Sequence, residues 1–138
     1  MFNPVKLSTK YINKVLSDGF RTSSNKNFNS ALIHEFCKKI SVKYGITLSS
    51  GTSALHVALL GLNLKKNDEV IMPSITMSAV AYAIILAGGT PIFADVDKDT
   101  LNIDPKSVER KINKKTKAII SVALFGLPPN YKEIKKII

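Results

Sequence analysis

The sequence contains little cysteine, little arginine and no long apolar run, and each scarcity excludes a class of protein or of site. A single cysteine, Cys37, leaves no partner for an internal disulfide and excludes a zinc site built from several cysteines. The longest apolar run, residues 79–87, is much shorter than the about 20 residues that cross a bilayer. The first residues contain no apolar segment of the signal-peptide type. We therefore predict a cytoplasmic protein with no membrane partner.

Arginine is also scarce, because the 20 basic residues include only Arg21 and Arg110, while the formal net charge is +10. A strongly basic chain raises the expectation of a polyanionic partner such as DNA, whose binding would depend steeply on salt. The lysines, however, are spread over most predicted elements, and arginine is the residue suited to bidentate contacts with phosphate and guanine. We interpret the charge as a solvated surface and predict no nucleic-acid partner.

The sequence does contain a regular alternation of helix and strand patterns. Its 138 residues, 45% of them hydrophobic, suffice for one domain with a core. Helical apolar stripes cover residues 8–17 and 30–44, and the polar, turn-rich residues 19–29 predict a loop between them. Gly45 stands where a helix C-cap favours glycine. The remaining predicted elements are strands at 46–48, 69–72, 91–96 and 118–122, with helices after Gly51, over 78–86, from Pro105, and over 131–138.

Short apolar strands separated by helices indicate an α/β fold, with a mostly parallel sheet and helices on both faces. We predict a single incomplete domain over 1–138, in which 1–29 form an N-terminal helix and loop and 30–138 begin the larger part. The last helix keeps an apolar stripe at Ile134, Ile137 and Ile138, and no later element covers it. The sequence is therefore expected to be a truncated piece of a longer protein.

The strongest local chemical signal is the segment Ser49-Ser50-Gly51-Thr52-Ser53, between a predicted strand and a predicted helix. A helix N-terminus offers unpaired N–H groups and the positive end of the helix dipole, so it can bind phosphate. Glycine permits close backbone approach, and the hydroxyls of Thr52 and Ser53 add donors. Ordinary capping by serine or threonine explains the same pattern. The segment carries neither the dinucleotide-binding nor the P-loop fingerprint.

The acidic residues at and after the end of the third predicted strand are a weaker candidate for a functional site. Asp95, Asp97 and Asp99 alternate as in a calcium loop, but position six is Thr100 and position twelve is Lys106, so a turn is the better interpretation. We predict no metal site.

The two histidines and the cysteine give no catalytic set either. His34 and Cys37 lie three residues apart on one predicted helix without a third group, which makes a catalytic thiol pair a poor hypothesis. His56 is more simply explained as a packing or surface residue of the helix after Gly51.

Several motifs taken together resemble the DegT/StrS family of sugar aminotransferases, which depend on pyridoxal 5′-phosphate (PLP). The similarity covers about residues 28–137, and its motifs agree in order and spacing: the Ser-Gly-Thr turn, NDEVIMPSIT, GGTPIFADVDKDTLNIDP and TKAIISVALFG. The resemblance implies the N-terminal portion of the large domain of a fold-type I PLP-dependent transferase. It places the PLP phosphate on Gly51, Thr52 and Ser53, and Met77 where the family usually has an aromatic residue against the PLP ring.

The resemblance also implies an activity. Family enzymes move an amino group from an amino acid, commonly glutamate, to a nucleotide-linked keto sugar, and they work as homodimers. This chain departs from the family at Ala123, where histidine is frequent, and at Leu127, where glutamine is frequent. The Schiff-base lysine and the aspartate that pairs with the pyridine nitrogen are expected beyond residue 138, so the isolated chain should be inactive. Two alternatives remain: a sugar dehydratase of the same family, or a phosphate-binding module without catalysis.

Overall fold

The computed structural model describes residues 4–17 and 28–138, which form two compact units divided after Thr47. The first unit contains helices α1 and α2, and the second contains four further helices, three strands and one short 3-10 turn in its described residues. Their bounds are α1 Pro4–Ser17, α2 Phe28–Ile40, α3 Gly51–Leu60, β1 Glu69–Pro73, α4 Ala79–Leu86, β2 Thr90–Ala94, α5 Pro105–Lys111, β3 Thr116–Ile119, the 3-10 turn Leu124–Gly126 and α6 Tyr131–Ile137.

The first unit confirms both predicted helices but ends α2 differently. The helix stops at Ile40, where Ser41 takes the left-handed conformation (φ 57°) and the Val42 N–H bonds the Cys37 carbonyl at 3.0 Å. The predicted cap at Gly45 is therefore wrong. Gly45 instead permits close packing, because a Cβ there would lie 2.9 Å from the Cys37 sulfur. Most of the loop predicted over 19–29 lies outside the described residues.

The sheet of the second unit has the order β2-β1-β3, and both neighbours run parallel to β1. In the strand register, Ile71 of the central strand pairs with Ile92 of β2 on one side and with Ile119 of β3 on the other. The parallel sheet is therefore confirmed. The strand predicted over 46–48 does not form, since those residues pair with no strand in the described chain. A segment of only three residues, two of them apolar, cannot distinguish a strand from an extended connection.

Helices cover both faces of the sheet, as predicted. In β1 the side chains alternate, with Val70 and Met72 facing one core and Ile71 facing the other. The first core is completed by Leu59 of α3, the α4 residues Val80, Ala83 and Ile84, and Ala87. The second core contains Ala94, Ile103, Val108 of α5 and Ile134 of α6. The central strand thus has both faces buried, which explains its unbroken apolar sequence.

The acidic segment after β2 folds as a turn. The Asp97 carboxylate accepts hydrogen bonds from the backbone N–H groups of Thr100 and Asp99 and from the Thr100 hydroxyl, at 2.9, 3.1 and 2.9 Å. The Thr100 bonds, then that from Asp99 and the charge of Lys98, hold the pKa of Asp97 below its ordinary value of 3.8. These bonds therefore stabilise the turn above that pH, and the stabilisation is lost as the pH falls through the lowered pKa.

Replacing Thr100 with valine should raise the pKa of Asp97 part of the way to its ordinary value, because the hydroxyl donor is removed while both N–H donors remain. NMR titration of the Asp97 side chain measures this shift. Thr116→Val is the matched control, since the Thr116 hydroxyl accepts from the Asn113 N–H, far from this turn in the sequence. A pKa of Asp97 that is the same in Thr100→Val and in the unaltered chain would contradict this explanation.

Candidate functional site

The carboxyl ends of the three strands define one edge of the sheet, because all three run in the same direction. The segments that follow them are residues 74–78 after β1, 95–104 after β2 and 120–130 after β3. Open α/β sheets bind their ligands just outside this edge.

Helix α3 begins at this same edge. Its far end leads through residues 61–68 to the start of β1, and Leu64 in that connection lies beside Gly89, next to the start of β2. Leu59, near the end of α3, packs in the same core as Val70, near the start of β1. The helix therefore runs opposite to the strands, and its N-terminus, Gly51, lies towards their carboxyl ends.

The first turn of α3 combines a capping residue with free donors. Ser50 has extended backbone angles, and its hydroxyl accepts the Ser53 N–H at 3.1 Å. The Ser50 carbonyl accepts the Ala54 N–H at 3.0 Å. Within the described residues, the N–H groups of Gly51 and Thr52 and the Thr52 hydroxyl have no partner, and both residues are exposed. Capping therefore accounts for Ser50, while Gly51 and Thr52 present unused donors at the positive end of a helix.

The space in front of Gly51 is open, since a Cβ built there would have no atom within 4 Å. No protein atom therefore blocks a ligand on the Cβ side of Gly51. Ser53 differs from its neighbours: its hydroxyl lies 3.0 Å from the Ser50 hydroxyl and 3.4 Å from that of Ser49. Ser53 is thus engaged in a serine cluster that shapes the turn, and its role as a phosphate ligand stays a prediction.

Met77 follows β1 at the carboxyl edge. Its side chain is 73% exposed, and its carbonyl accepts the Val80 N–H at 3.1 Å where α4 begins. The structure therefore fixes the backbone of Met77 while leaving its thioether free to pack against a ligand. Its contact with a ring stays a prediction.

The segment after β3 carries features that the sequence analysis missed. Phe125 has a left-handed backbone (φ 52°, ψ 22°) and is 93% exposed, and Gly126 follows with φ 86°. The Asn102 side-chain amide, only 4% exposed as a residue, donates to the carbonyls of Leu127 and Pro128 at 3.1 and 3.4 Å. A glycine at position 126, a few residues after the strand predicted over 118–122, was the available signal for this tight turn.

The remaining sequence candidates lie in different units. His34 and Cys37 lie on α2 of the first unit, whereas His56 lies on α3 of the second. In the part of the chain that the structure describes, no three His, Cys, Asp or Glu side chains are grouped to hold a metal ion. No helix among the described residues is long and apolar enough to span a membrane.

These observations define an α/β protein in which the first turn of a helix presents unpaired donors at the carboxyl edge of a parallel sheet. Comparison with known proteins gives the class a name: residues 5–138 match the DegT/DnrJ/EryC1/StrS aminotransferase family, and the chain belongs to that family. The family resemblance expected from the sequence is confirmed.

Individual relatives support the assignment. GDP-perosamine synthase from Escherichia coli O157:H7 is 41% identical over 125 residues, which are 91% of this chain and 34% of that protein. The structure of the E. coli GDP-4-keto-6-deoxy-D-mannose-3-dehydratase with bound hydrated PLP superposes with a TM-score of 0.87 and 33% identity, covering 99% of this chain and 36% of that one. The structure of NtdA from Bacillus subtilis with bound pyridoxamine 5′-phosphate (PMP) superposes with a TM-score of 0.88 and 32% identity. The match covers 99% of this chain and 31% of NtdA. The chain spans about a third of the length of these relatives.

Proposed function

We propose that the chain is the N-terminal part of a PLP-dependent aminotransferase that transfers an amino group from an amino acid, glutamate, to a nucleotide-linked keto sugar. The observation that carries the proposal is the first turn of α3. Its N–H groups at Gly51 and Thr52 are unpaired, and the Cβ side of Gly51 is open, at the carboxyl edge of the sheet. A phosphate group fits this donor set, because an anion is stabilised both by the N–H groups and by the helix dipole.

The residues of this turn have separate tasks. Gly51 gives the phosphate access to the backbone, Thr52 contributes an N–H and a hydroxyl, and Ser50 holds the turn through its bond to the Ser53 N–H. Met77 packs its thioether against the pyridine ring, with less contact area than an aromatic residue offers. When bound, PLP supplies the electron sink that amino transfer requires.

The substrate proposal follows from the relatives. Both GDP-perosamine synthase and the 3-dehydratase have names that refer to GDP-linked sugars, so we propose a GDP-linked keto sugar as acceptor. The full-length enzyme is proposed to be a cytoplasmic homodimer. A sugar dehydratase is the second candidate, because the structural relatives of this chain include the 3-dehydratase. The discriminating residue stands at the family's Schiff-base lysine position, beyond residue 138.

The cofactor proposal is tested with PMP, which cannot form a Schiff base with the many surface lysines. Calorimetric titration should show one PMP site on the 138-residue chain, and inorganic phosphate should compete for it. The variant Thr52→Val should weaken PMP binding about tenfold or more, because it removes one hydrogen bond to a charged group. Absence of any PMP binding would contradict the proposal.

The 138 residues assayed alone should not catalyse amino transfer. None of their lysines lies in the family's Schiff-base motif. The chain is therefore expected to bind the cofactor phosphate but to lack the catalytic base. The measurement is the transfer of isotopic nitrogen from glutamate to a GDP-linked 4-keto sugar, with GDP-perosamine synthase as the positive control. Turnover that disappears with the replacement of one lysine in this chain would refute the expectation.

The outer face of α4 provides the basis for a prediction about self-association. The helix has no polar side chain except the hydroxyl of Tyr82, and Tyr82, Ile85 and Leu86 are each more than half exposed. An exposed apolar patch of this kind favours association, whereas the +10 charge opposes it. Salt screens charge within about 10 Å at 0.1 M, so association should increase as salt rises.

Size-exclusion chromatography at low and high salt measures this association. Ile85→Lys should keep the chain monomeric at high salt, while Ile138→Lys, the same substitution at the exposed C-terminal residue, should have a smaller effect. A sharp monomer peak of the unaltered chain at both salt concentrations would show that α4 does not mediate self-association.

A further inference from the structure

The aromatic side chain of Phe125 is exposed to solvent and is not part of a core. Its left-handed conformation (φ 52°) is uncommon for a residue with a large side chain, and its ring is almost entirely exposed. Strained backbone conformations persist only where the surrounding structure enforces them, and they concentrate at ligand sites.

Asn102 holds the turn from a distance of more than twenty residues in the sequence. Its buried amide donates to the Leu127 and Pro128 carbonyls, directly after Phe125 and Gly126. The next residue, Pro129, is buried, and the Asn130 side chain accepts the Glu133 N–H at 3.3 Å to cap α6. The backbone of the turn is consequently held at its exit.

The surroundings of Phe125 are apolar and open. Residues 120–128 contain no charged side chain, although the whole chain has a net charge of +10. Ala123 and Leu127 are exposed beside it, and a Cβ built on Gly126 would have no atom within 4 Å. Such a surface does not favour a phosphate, but it leaves room for a flat apolar ring over the phenyl group.

The turn lies at the same edge of the sheet as the start of α3. Val122, three residues before Phe125, packs against the core that contains Leu59, and Leu55 of α3 packs against the same core. The phosphate-binding turn and the displayed ring thus belong to one face of one edge.

We propose that Phe125 stacks against the nucleobase of the nucleotide-linked sugar and that Asn102 is the residue that positions it. This inference rests on the proposed function, which supplies the nucleotide. A nucleobase fits this surface, because its flat face can stack on the phenyl ring and needs no charged partner there. Base–aromatic stacking tolerates any base, so Phe125 would contribute affinity, while other residues select the base.

The test is titration of the 138-residue chain with GDP, monitored by calorimetry. Phe125→Ala should weaken GDP binding about tenfold, and Phe125→Trp should retain it, because the ring and not its identity is required. Phe93→Ala is the matched control: Phe93 is a half-exposed phenylalanine on β2 and should be neutral. Asn102→Ala should weaken GDP binding while Phe125 is still present.

Two further ligands, pyrophosphate and PMP, distinguish failure of the stacking proposal from failure of the proposed cofactor site. Pyrophosphate, which lacks a base, should bind Phe125→Ala and the unaltered chain equally. PMP binding should also be unchanged in Phe125→Ala, so a chain that binds GDP but not PMP would refute the proposed cofactor site and not the stacking. GDP affinity that is unaffected by Phe125→Ala, or pyrophosphate affinity that falls as much as GDP affinity, would overturn the stacking proposal. Absence of GDP binding would overturn it as well.

Discussion

Replacement of Gly51 by valine is expected to lower the affinity of the chain for PMP at least about tenfold while the fold remains intact. The phosphate is proposed to approach the free N–H groups of Gly51 and Thr52 directly, and a branched side chain would occupy that approach. Loss of one or two hydrogen bonds to a charged group is consistent with this magnitude. The fold should tolerate the change, because a Cβ at Gly51 meets no protein atom within 4 Å.

Calorimetric titration measures the affinity, and thermal melts monitored by circular dichroism establish that the variant is folded. Gly51→Ala gives an intermediate case, since a single methyl group blocks less of the approach than an isopropyl group. Equal PMP affinity in the glycine, alanine and valine forms would show that the phosphate does not bind at this turn.

Truncation of Ile71 to alanine is expected to cost about 2–5 kcal/mol of unfolding free energy, which is a large part of the stability of a small domain. Ile71 is fully buried in the central strand, and it packs in the core formed with Ala94, Ile103 and Val108. Its removal leaves a cavity that the strand cannot close, because β1 is paired on both sides.

Urea denaturation measures the difference in free energy. Ile85→Ala is the matched control: the same atoms are removed from a side chain that is 55% exposed on α4, so the expected loss is much smaller. If the two variants were destabilised equally, Ile71 would not occupy the buried position that the structure gives it.

The sequence allowed much of the second unit to be predicted, because its signals are local. Pro105 at the first position of α5, with Asp104 as the N-cap, marks that helix from the sequence alone. The strands β1 and β2 were found as short apolar runs ended by polar or turn residues. The Ser-Gly-Thr segment was recognised for the same reason: its donors belong to one helical turn.

Other features could not be predicted, since they depend on residues distant in the sequence. The bond from Asn102 to the Leu127 carbonyl joins residues 25 positions apart, and no local pattern reveals it. The prediction of a strand over 46–48 was wrong, because a short local pattern does not show whether a neighbouring strand is available to pair with it.

The central place of β1 also has a consequence for the order in which the protein folds. Glu69 pairs with Thr90 and with Thr116, so one neighbour of β1 is close in the sequence and the other is more than twice as far. Closing the shorter loop costs less entropy, and local contacts form faster. We therefore expect β1, α4 and β2 to assemble first, as soon as they leave the ribosome, and β3 to complete the sheet afterwards.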